Sequence, residues 1–186
     1  MVTHDRCVWV LLSYRIPREP STPRIAVWRK LRRLGVAQIG DGLAALPADA
    51  RTQEQLEWLA EEIAEAGGVS TLWRAELTSA GQEQAIVGEM TAARSAEYAD
   101  IAARARALRV DSTTPAQGLR SLRSLRQELR RVQRRDFFSP VGRDFARAEV
   151  DALARSLLAA DLPAGIEPEL PTSSRASRNE PAGVDS

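Results

Sequence analysis

The stretch Trp9–Pro47, WVLLSYRIPREPSTPRIAVWRKLRRLGVAQIGDGLAALP, decides the fold of this chain. It overlaps residues 7–16, which are mostly apolar and alternate weakly, as is typical of a central strand covered on both faces. Thr22 followed by Pro23 predicts a helix start, with threonine as the N-cap, and Gly35 predicts the left-handed end of that helix. Short apolar segments on either side of Gly40-Asp41-Gly42 then predict a hairpin.

A second helix and a fourth strand complete this unit. Thr52 is predicted to cap a helix that ends before Gly67-Gly68, and Val69–Leu77 is predicted to be the last strand. The resulting order, β-α-β-β-α-β, is that of the split βαβ unit found in ferredoxin-like domains. The fold class predicted for residues 6–78 is therefore α+β, as a ferredoxin-like βαββαβ domain.

The rest of the chain is predicted to be helical and then irregular. Residues 82–108 are alanine-rich with helical spacing, residues 116–135 form an arginine-rich helix, and residues 142–160 form a third helix. Breaks that contain proline separate these helices. We expect this helical extension, residues 82–160, to pack on or beside the α/β domain. Over residues 161–186, proline, serine and charged residues predominate without apolar periodicity, which predicts a disordered tail.

The composition favours a soluble, cytoplasmic protein. The chain holds a single cysteine, so no internal disulfide can form, and a reducing compartment fits this usage. It holds no run of about 18 apolar residues, and its first residues lack the apolar core of a signal peptide. We therefore expect neither a membrane span nor export.

The formal net charge of +1 conceals blocks of opposite sign. Residues 1–47 carry eight basic and three acidic side chains, and residues 101–147 carry twelve and four. Residues 48–100 carry three basic and eleven acidic side chains, and the remainder carries three and seven. All cations except Lys30 are arginines. This bias can reflect a GC-rich genome alone, but a guanidinium is also a planar fork suited to phosphate and other oxyanions.

The first predicted helix has one apolar side and a basic remainder. The side predicted to pack on the sheet consists of Val27, Trp28, Leu31 and Leu34. The side predicted to face water consists of Arg29, Lys30 and Arg33, with Arg24 and Arg32 at its edges. Five cations without an acid are a credible surface for phosphate groups. A basic face that is merely solvated is the alternative.

Arginines are denser still on the helix predicted for residues 116–135. Glu128 is its only acid, whereas its cations are Arg120, Arg123, Arg126, Arg130, Arg131, Arg134 and Arg135. Like charges three and four residues apart repel one another, so an acidic partner must relieve this cost. The sequence offers two partners, and both stay open at this point. One is duplex DNA, and the other is the acidic second helix, with Glu54, Glu57, Glu61, Glu62 and Glu65.

Trp58 is predicted to be exposed, because it lies about 160° from Leu56 around the second helix. An exposed indole usually has a cover. The cover would be the C-terminal helices or a second subunit, and Trp73 on the fourth strand could serve the same contact.

Polar side chains interrupt the apolar side of the alanine-rich helix. With one residue of the corner that follows the arginine helix, they form a predicted cluster of Glu89, Arg94, Glu97, Tyr98 and Asp136. Its main interpretation is a structural network that holds the Phe137-Phe138 corner. The alternative is a site for a small oxyanion, with Arg94 as the binding fork.

Residue types that support catalysis are scarce. The only histidine, His4, and the only cysteine, Cys7, cannot supply a zinc site or a Cys–His nucleophile pair. The spacing of Gly40-Asp41-Gly42 fits no phosphate-binding loop. Asp41 in a symmetric dimer could chelate a metal, as in the ferredoxin-like nucleases of CRISPR adaptation, which makes a metal-dependent nuclease a distant third hypothesis. We predict no enzyme, no cofactor and no metal.

Five segments of the chain, taken in order, resemble a known family. They are the strand WVLLSY, the turn RIPREPS, the helix RIAVWRKLRRLG, the hairpin around Gly40-Asp41-Gly42, and the later RRDFFSP. Over about Trp9 to Asp161 they resemble the N-terminal domain of the ChrB-type chromate-resistance regulators. The first half is also, more weakly, similar to the ferredoxin-like domain of the phenylacetate-pathway repressors. Many relatives carry a second, C-terminal domain that these 186 residues do not include, and whether a separate partner supplies it stays open.

The resemblance implies a cytoplasmic, DNA-binding regulator of chromate resistance that acts as a homodimer. It further implies repression of a chromate-efflux operon, relieved by the oxyanion chromate as effector. The predicted contacts with DNA phosphates are Arg24, Arg29, Lys30, Arg32 and Arg33 on the first helix, and Arg120, Arg123, Arg126, Arg130 and Arg134 on the arginine helix. The alternative is a non-catalytic protein-interaction module that acts with a separate sensing domain, and whose basic and acidic faces pair within or between subunits.

Overall fold

The computed structural model describes residues 7–110 and 114–160. In this part the chain is mixed α/β, with four strands and five helices. They are β1 Trp9–Arg15, α1 Ser21–Leu34, β2 Ala37–Gly40, β3 Leu43–Pro47, α2 Ala50–Glu65, β4 Val69–Ala75, α3 Ala80–Val110, α4 Pro115–Arg134 and α5 Arg143–Ala160. His4 and the predicted disordered tail, residues 161–186, lie outside the described residues.

The four strands form one antiparallel sheet in the order β2-β3-β1-β4. Strand β1 is central, and Leu12 lies opposite Ala44 on one neighbour and Leu72 on the other. On β4, Ser70 Oγ donates a hydrogen bond to the Ala60 carbonyl of α2 at 3.3 Å. Because side chains alternate along a strand, the face that bears Leu72 lies toward α2, and Trp73 lies on the opposite face.

The ends of the first two helices differ from the prediction. Helix α1 begins at Ser21, and its N-cap is Pro20 with no side-chain hydrogen bond, so the prediction of Thr22 as cap is wrong. Helix α2 is capped by Asp49, whose carboxylate accepts from Thr52 N at 2.7 Å, while Thr52 Oγ1 accepts from Asp49 N at 3.0 Å. Thr52 is therefore the inner partner of a capping box and not the cap itself.

Two glycines behave as the sequence predicts. Gly35 ends α1 with φ of 72°, a left-handed conformation that costs glycine little. Gly42 also has a positive φ, of 71°, and its carbonyl accepts a hydrogen bond from Tyr14 N at 2.7 Å. A Cβ at this position would lie 2.3 Å from the Tyr14 carbonyl oxygen, so the hairpin closes onto β1 only with glycine here.

Trp28 contradicts the predicted packing of α1. Val27 and Leu31 are buried, but the side chain of Trp28 is 52% exposed. Trp28 lies about 100° from Val27 around the helix, beyond the stripe that meets the core. The Arg32 guanidinium lies 5.0 Å from its ring centroid, and this cation–π contact takes the place of core packing.

The described residues contain two hydrophobic cores, which α3 connects. The first lies between the sheet and the helices around it and includes Met90 of α3. The second lies among α3, α4 and α5 and includes Tyr98 and Ile101, about two to three turns further along α3. The corner after α4 ties the two together, because Phe138 packs against the first core with its ring 6.2 Å from that of Trp9.

Candidate nucleic-acid interface

The five cations of α1 do not share one face. Lys30, which was predicted to point away from the protein, binds Glu62 of α2 instead. Arg24 and Trp28 line a cavity of about 590 Å³ beside the hairpin. Arg32 lies over the Trp28 ring on that same side. Arg29 and Arg33 are exposed, and Arg33 lies toward the C-terminal end of α4.

The arginines of α4 lie outside the second core and form no ion pair with a carboxylate of the described residues. The spacing predicts a buried stripe of Leu119, Leu122, Leu125, Leu129 and Val132, and the last four are buried, whereas Leu119 is 40% exposed. Its exposed cations are Arg120, Arg123, Arg126, Arg130, Arg131 and Arg134. Their charge is therefore directed into solvent.

The acidic helix α2 does not neutralise α4. Among the described residues, the ion pair that α2 forms is the one between Glu62 and Lys30 of α1. Glu57 accepts a hydrogen bond from Gln53 of its own helix at 2.9 Å. Of the two partners that the sequence leaves open for the arginine helix, the intramolecular one is absent from this part of the structure.

The two basic helices meet at one cavity of about 280 Å³. Its lining consists of Arg33, Leu34, Arg51, Gln55, Arg131, Arg134 and Arg135. Five of these seven residues are arginines, drawn from α1, α2 and the C-terminal end of α4. Arg51 is not among the predicted contacts, because it is the single cation of the otherwise acidic helix α2. Helical spacing alone does not show that the first turn of α2 faces α4.

The predicted polar cluster separates into two networks and leaves out Glu89. Glu97 accepts hydrogen bonds from Arg94 at 3.0 Å and from Arg135 at 2.7 Å. The Tyr98 hydroxyl donates to Asp136 at 2.9 Å. Glu89 is exposed and forms no hydrogen bond or ion pair with the other four members. The Arg94 side chain is only 12% exposed. These contacts favour the structural interpretation over an oxyanion site with Arg94 as its fork.

Asp136 shows how this network holds the corner before α5. Its carboxylate accepts the Tyr98 hydroxyl and the backbone N–H of Ser139, the latter at 2.8 Å. Arg143 lies 3.9 Å from the same carboxylate. Burial, and then the hydrogen bond to Asp136, raise the pKa of Tyr98 above its ordinary value. The neutral phenol is therefore the form that the fold stabilises.

Neither Cys7 nor Asp41 lies in a catalytic arrangement. Burial, and then the neighbouring Glu83 carboxylate, raise the pKa of the Cys7 thiol. A thiol with a raised pKa forms less of the reactive thiolate at neutral pH. Asp41 is exposed on the hairpin, and within residues 7–110 and 114–160 no three potential metal ligands of the His, Cys, Asp or Glu type lie together.

Two further tryptophans are exposed, on opposite sides of the α/β unit. Trp58 of α2 is 59% exposed, as predicted, and Trp73 of β4 is 58% exposed. No described element covers either ring. Since α2 and Trp73 lie on opposite faces of the sheet, the two indoles cannot share one small contact as the sequence analysis expected.

Comparison with known proteins gives a consistent result. Residues 24–112 match the family described as Protein ChrB, N-terminal. The chain is also 30% identical over 92 residues to Protein ChrB of Cupriavidus metallidurans. The resemblance to the ChrB N-terminal domain is confirmed. The family match begins in α1 and ends before α4, so the arginine helix lies beyond it.

The match to the relative is partial. It covers 50% of this chain and 28% of the Cupriavidus protein. The matched segment thus spans under a third of the length of that ChrB protein. No solved structure matches the chain. Within the part of the chain that the structure describes, no helix is both long and apolar enough to cross a lipid bilayer.

Proposed function

We propose that this protein is a cytoplasmic regulatory protein associated with chromate resistance, and that it binds duplex DNA through its basic helices. The match to the ChrB N-terminal domain supports the regulatory part of this proposal. The order β-α-β-β-α-β along the chain supports placing its α/β unit among the ferredoxin-like domains.

One observation carries the DNA-binding part. The six exposed arginines of α4 have no carboxylate partner among the described residues, and the helix ends beside Arg33 of α1. Like charges at this density repel one another, and a polyanion relieves that repulsion. Duplex DNA presents closely spaced phosphates, and each phosphate that an arginine neutralises releases counterions.

The proposed contacts are with phosphates and not with base edges. Arg29, Arg33 and the arginines of α4 are exposed and can reach a backbone. Lys30 contributes less, because it is already bound to Glu62. Phosphate contacts position a protein on DNA without reading the sequence, so operator selection requires other side chains. The exposed Trp28 beside Arg24 and Arg32 is the first candidate for such a contact.

Two partners complete the proposal. A second copy of the chain would make a homodimer, and the exposed ring of either Trp58 or Trp73 offers apolar surface for one such contact. An oxyanion such as chromate would act as the effector that releases DNA. The interaction-module alternative requires the basic surfaces to bind an acidic protein in place of DNA.

A salt series tests the DNA-binding part. Fluorescence anisotropy with a duplex from upstream of the gene would be measured from about 50 to about 200 mM NaCl. With six phosphate contacts, log K should fall against log salt with a slope of about −5. A scrambled duplex of equal length separates specific from general affinity. Absence of binding at low salt, or binding that ignores salt, would reject the phosphate contacts and favour the interaction module.

A further inference from the structure

The cavity between α1, α2 and α4 has the character of an anion site. It measures about 280 Å³, and arginine side chains make up most of its lining. No carboxylate belongs to that lining. The nearest acid in contact with it is Glu97 of α3, which binds Arg135 from outside the cavity and shares its charge with Arg94. Of the five arginines that line the cavity, Arg135 alone is paired with a carboxylate of the described residues.

Helix ends account for only some of these arginine positions. Arg131 and Arg134 lie in the last turn of α4, where a cation complements the helix dipole. Arg51, however, is the second residue of α2, close to the positive end of that helix. A cation there is unfavourable unless an anion lies nearby. The first turn of α2 contains no acid, and the carboxylate of the N-cap residue, Asp49, accepts the backbone N–H of Thr52 and forms no ion pair with Arg51.

The cavity is built from side chains held in place by the fold. The Arg51 guanidinium lies 5.8 Å from the ring centroid of Phe137, in the corner after α4. Gly35 packs against Arg135 so closely that an added Cβ would lie 2.9 Å from the Arg135 Cβ. Arg135 is anchored by Glu97, yet its Nε is buried without a hydrogen-bond partner among the described residues. Three helices thus bring their cations to one point.

We propose that this cavity binds one tetrahedral oxyanion group, such as phosphate or sulfate. Guanidinium forks donate paired hydrogen bonds to such oxygens, and these bonds are among the strong ones in proteins. Gln55 adds an amide donor, and Leu34 supplies the apolar wall. The group could come from a free oxyanion or from a phosphodiester of nucleic acid, and both have the same chemistry at the site. The inference concerns binding by the protein alone and holds whether or not it binds DNA.

The test is a titration of the full chain with inorganic phosphate at constant ionic strength, followed by calorimetry and by thermal unfolding. Wild-type protein should bind with a saturable isotherm and gain stability beyond that in sodium chloride. The variant R131Q/R134Q removes two guanidinium groups from the cavity and should bind at least about tenfold more weakly. The matched control R120Q/R123Q makes the same change on the same helix, outside the cavity, and should bind as wild type.

Other results would overturn the inference. They are phosphate binding no stronger than that of chloride, or equal loss in R131Q/R134Q and R120Q/R123Q. Should the double variant fail to fold, which circular dichroism would show, R51Q provides the same test from another helix. Because no DNA is present, a failure here leaves the proposed DNA binding untouched, and loss of DNA binding leaves this site untouched.

A competition arm identifies the source of the anion. Phosphate and sodium chloride of equal ionic strength would be compared as competitors of duplex DNA. If phosphate displaces DNA from wild type more effectively than chloride does, and loses this advantage in R131Q/R134Q, the site takes a phosphodiester. If phosphate binds in the cavity and DNA affinity does not change, the site takes a free oxyanion. Either result supports the tetrahedral oxyanion group as the ligand.

Discussion

The arginines of α3 and those of α4 have opposite electrostatic surroundings. On α3, Arg104 binds Asp100 and Glu128, while Arg106 and Arg109 both bind Glu149 of α5. On α4, none of the six exposed arginines binds a carboxylate of the described residues. The two helices are neighbours in the same three-helix core. A high count of arginine in a segment therefore does not tell which arginines are available to a partner.

The difference arises from where acids lie relative to each helix. Glu149 is only 14% exposed and lies between two α3 arginines, so its charge is already balanced within the core region. The one acid of α4, Glu128, faces Arg104 of α3 and not the cations of its own helix. The outward side of α4 is left with cations alone, which is costly for an isolated protein and useful for one that binds a polyanion.

The largest expected effect comes from removing the charges of the exposed α4 arginines and, separately, those of the paired α3 arginines. Replacing Arg120, Arg123 and Arg126 of α4 by glutamine should make the salt slope of DNA binding shallower by about 3, since each phosphate contact contributes about 0.9. Stability should hardly change, because surface substitutions usually stay within about 0.5 kcal/mol. Anisotropy over a salt series measures the slope, and urea unfolding measures the stability.

The matched control is the same change on α3, in R104Q/R106Q/R109Q. There the slope should stay as in wild type, while the free energy of unfolding falls because Glu149 and Glu128 lose their partners. If both triple variants make the salt slope of DNA binding shallower by the same amount, the distinction between paired and available arginines is wrong.

A smaller effect is expected at Tyr98 of α3, the helix whose arginines are paired with carboxylates. In Y98F, Asp136 loses a hydrogen-bond donor next to the second core, which should cost about 1–3 kcal/mol at neutral pH. The pKa of Tyr98 is raised in the fold above its usual value of about 10, first by burial and then by Asp136. The contribution of the Tyr98 phenol to the free energy of unfolding is thus fully present below about pH 10, and it is lost as the pH rises through the pKa of Tyr98 in the folded protein.

Urea unfolding at about pH 8 and about pH 11 measures this pH dependence. The wild-type free energy of unfolding should fall between the two, and that of Y98F should fall less. The arginine contacts do not contribute to the change, because guanidinium groups stay charged at both pH values. The control is Y14F, which removes the other tyrosine with a raised pKa, on β1. An equal pH dependence in wild type and Y98F would contradict the assignment to Tyr98.

The sequence predicts the order of elements and the buried stripe of α4, but not the surroundings of its cations. Periodicity gives Leu122, Leu125 and Leu129 because burial follows the helical repeat, although it also predicts Leu119, which is 40% exposed. It fails for Trp28, whose position at the edge of the stripe leaves the choice to tertiary packing. Ion pairs between helices, such as Glu149 with α3, depend on how the helices cross, and no local pattern reports that geometry.

The cavity at the end of α4 illustrates the same limit. Arg33, Arg51 and Arg134 lie far apart in the sequence, and local patterns place them on three separate helices. Only the packing of α4 against the α/β unit, through the Phe137-Phe138 corner, brings them together. Of the polar cluster that the sequence predicts at that corner, Tyr98 and Asp136 lie together, whereas Glu89 lies apart on the exposed side of α3.

The smallest expected effect tests whether the α4 arginines cost stability in the absence of a partner. Arg126 and Arg130 are four residues apart on the exposed side, where like charges repel. Since glutamine and arginine have similar helix propensities, R126Q/R130Q should raise the free energy of unfolding by about 0.2–0.5 kcal/mol at low salt. The gain should disappear at about 1 M salt, where screening removes the repulsion. A loss of stability instead would mean that these side chains already have a partner inside the protein, and α4 would then resemble α3.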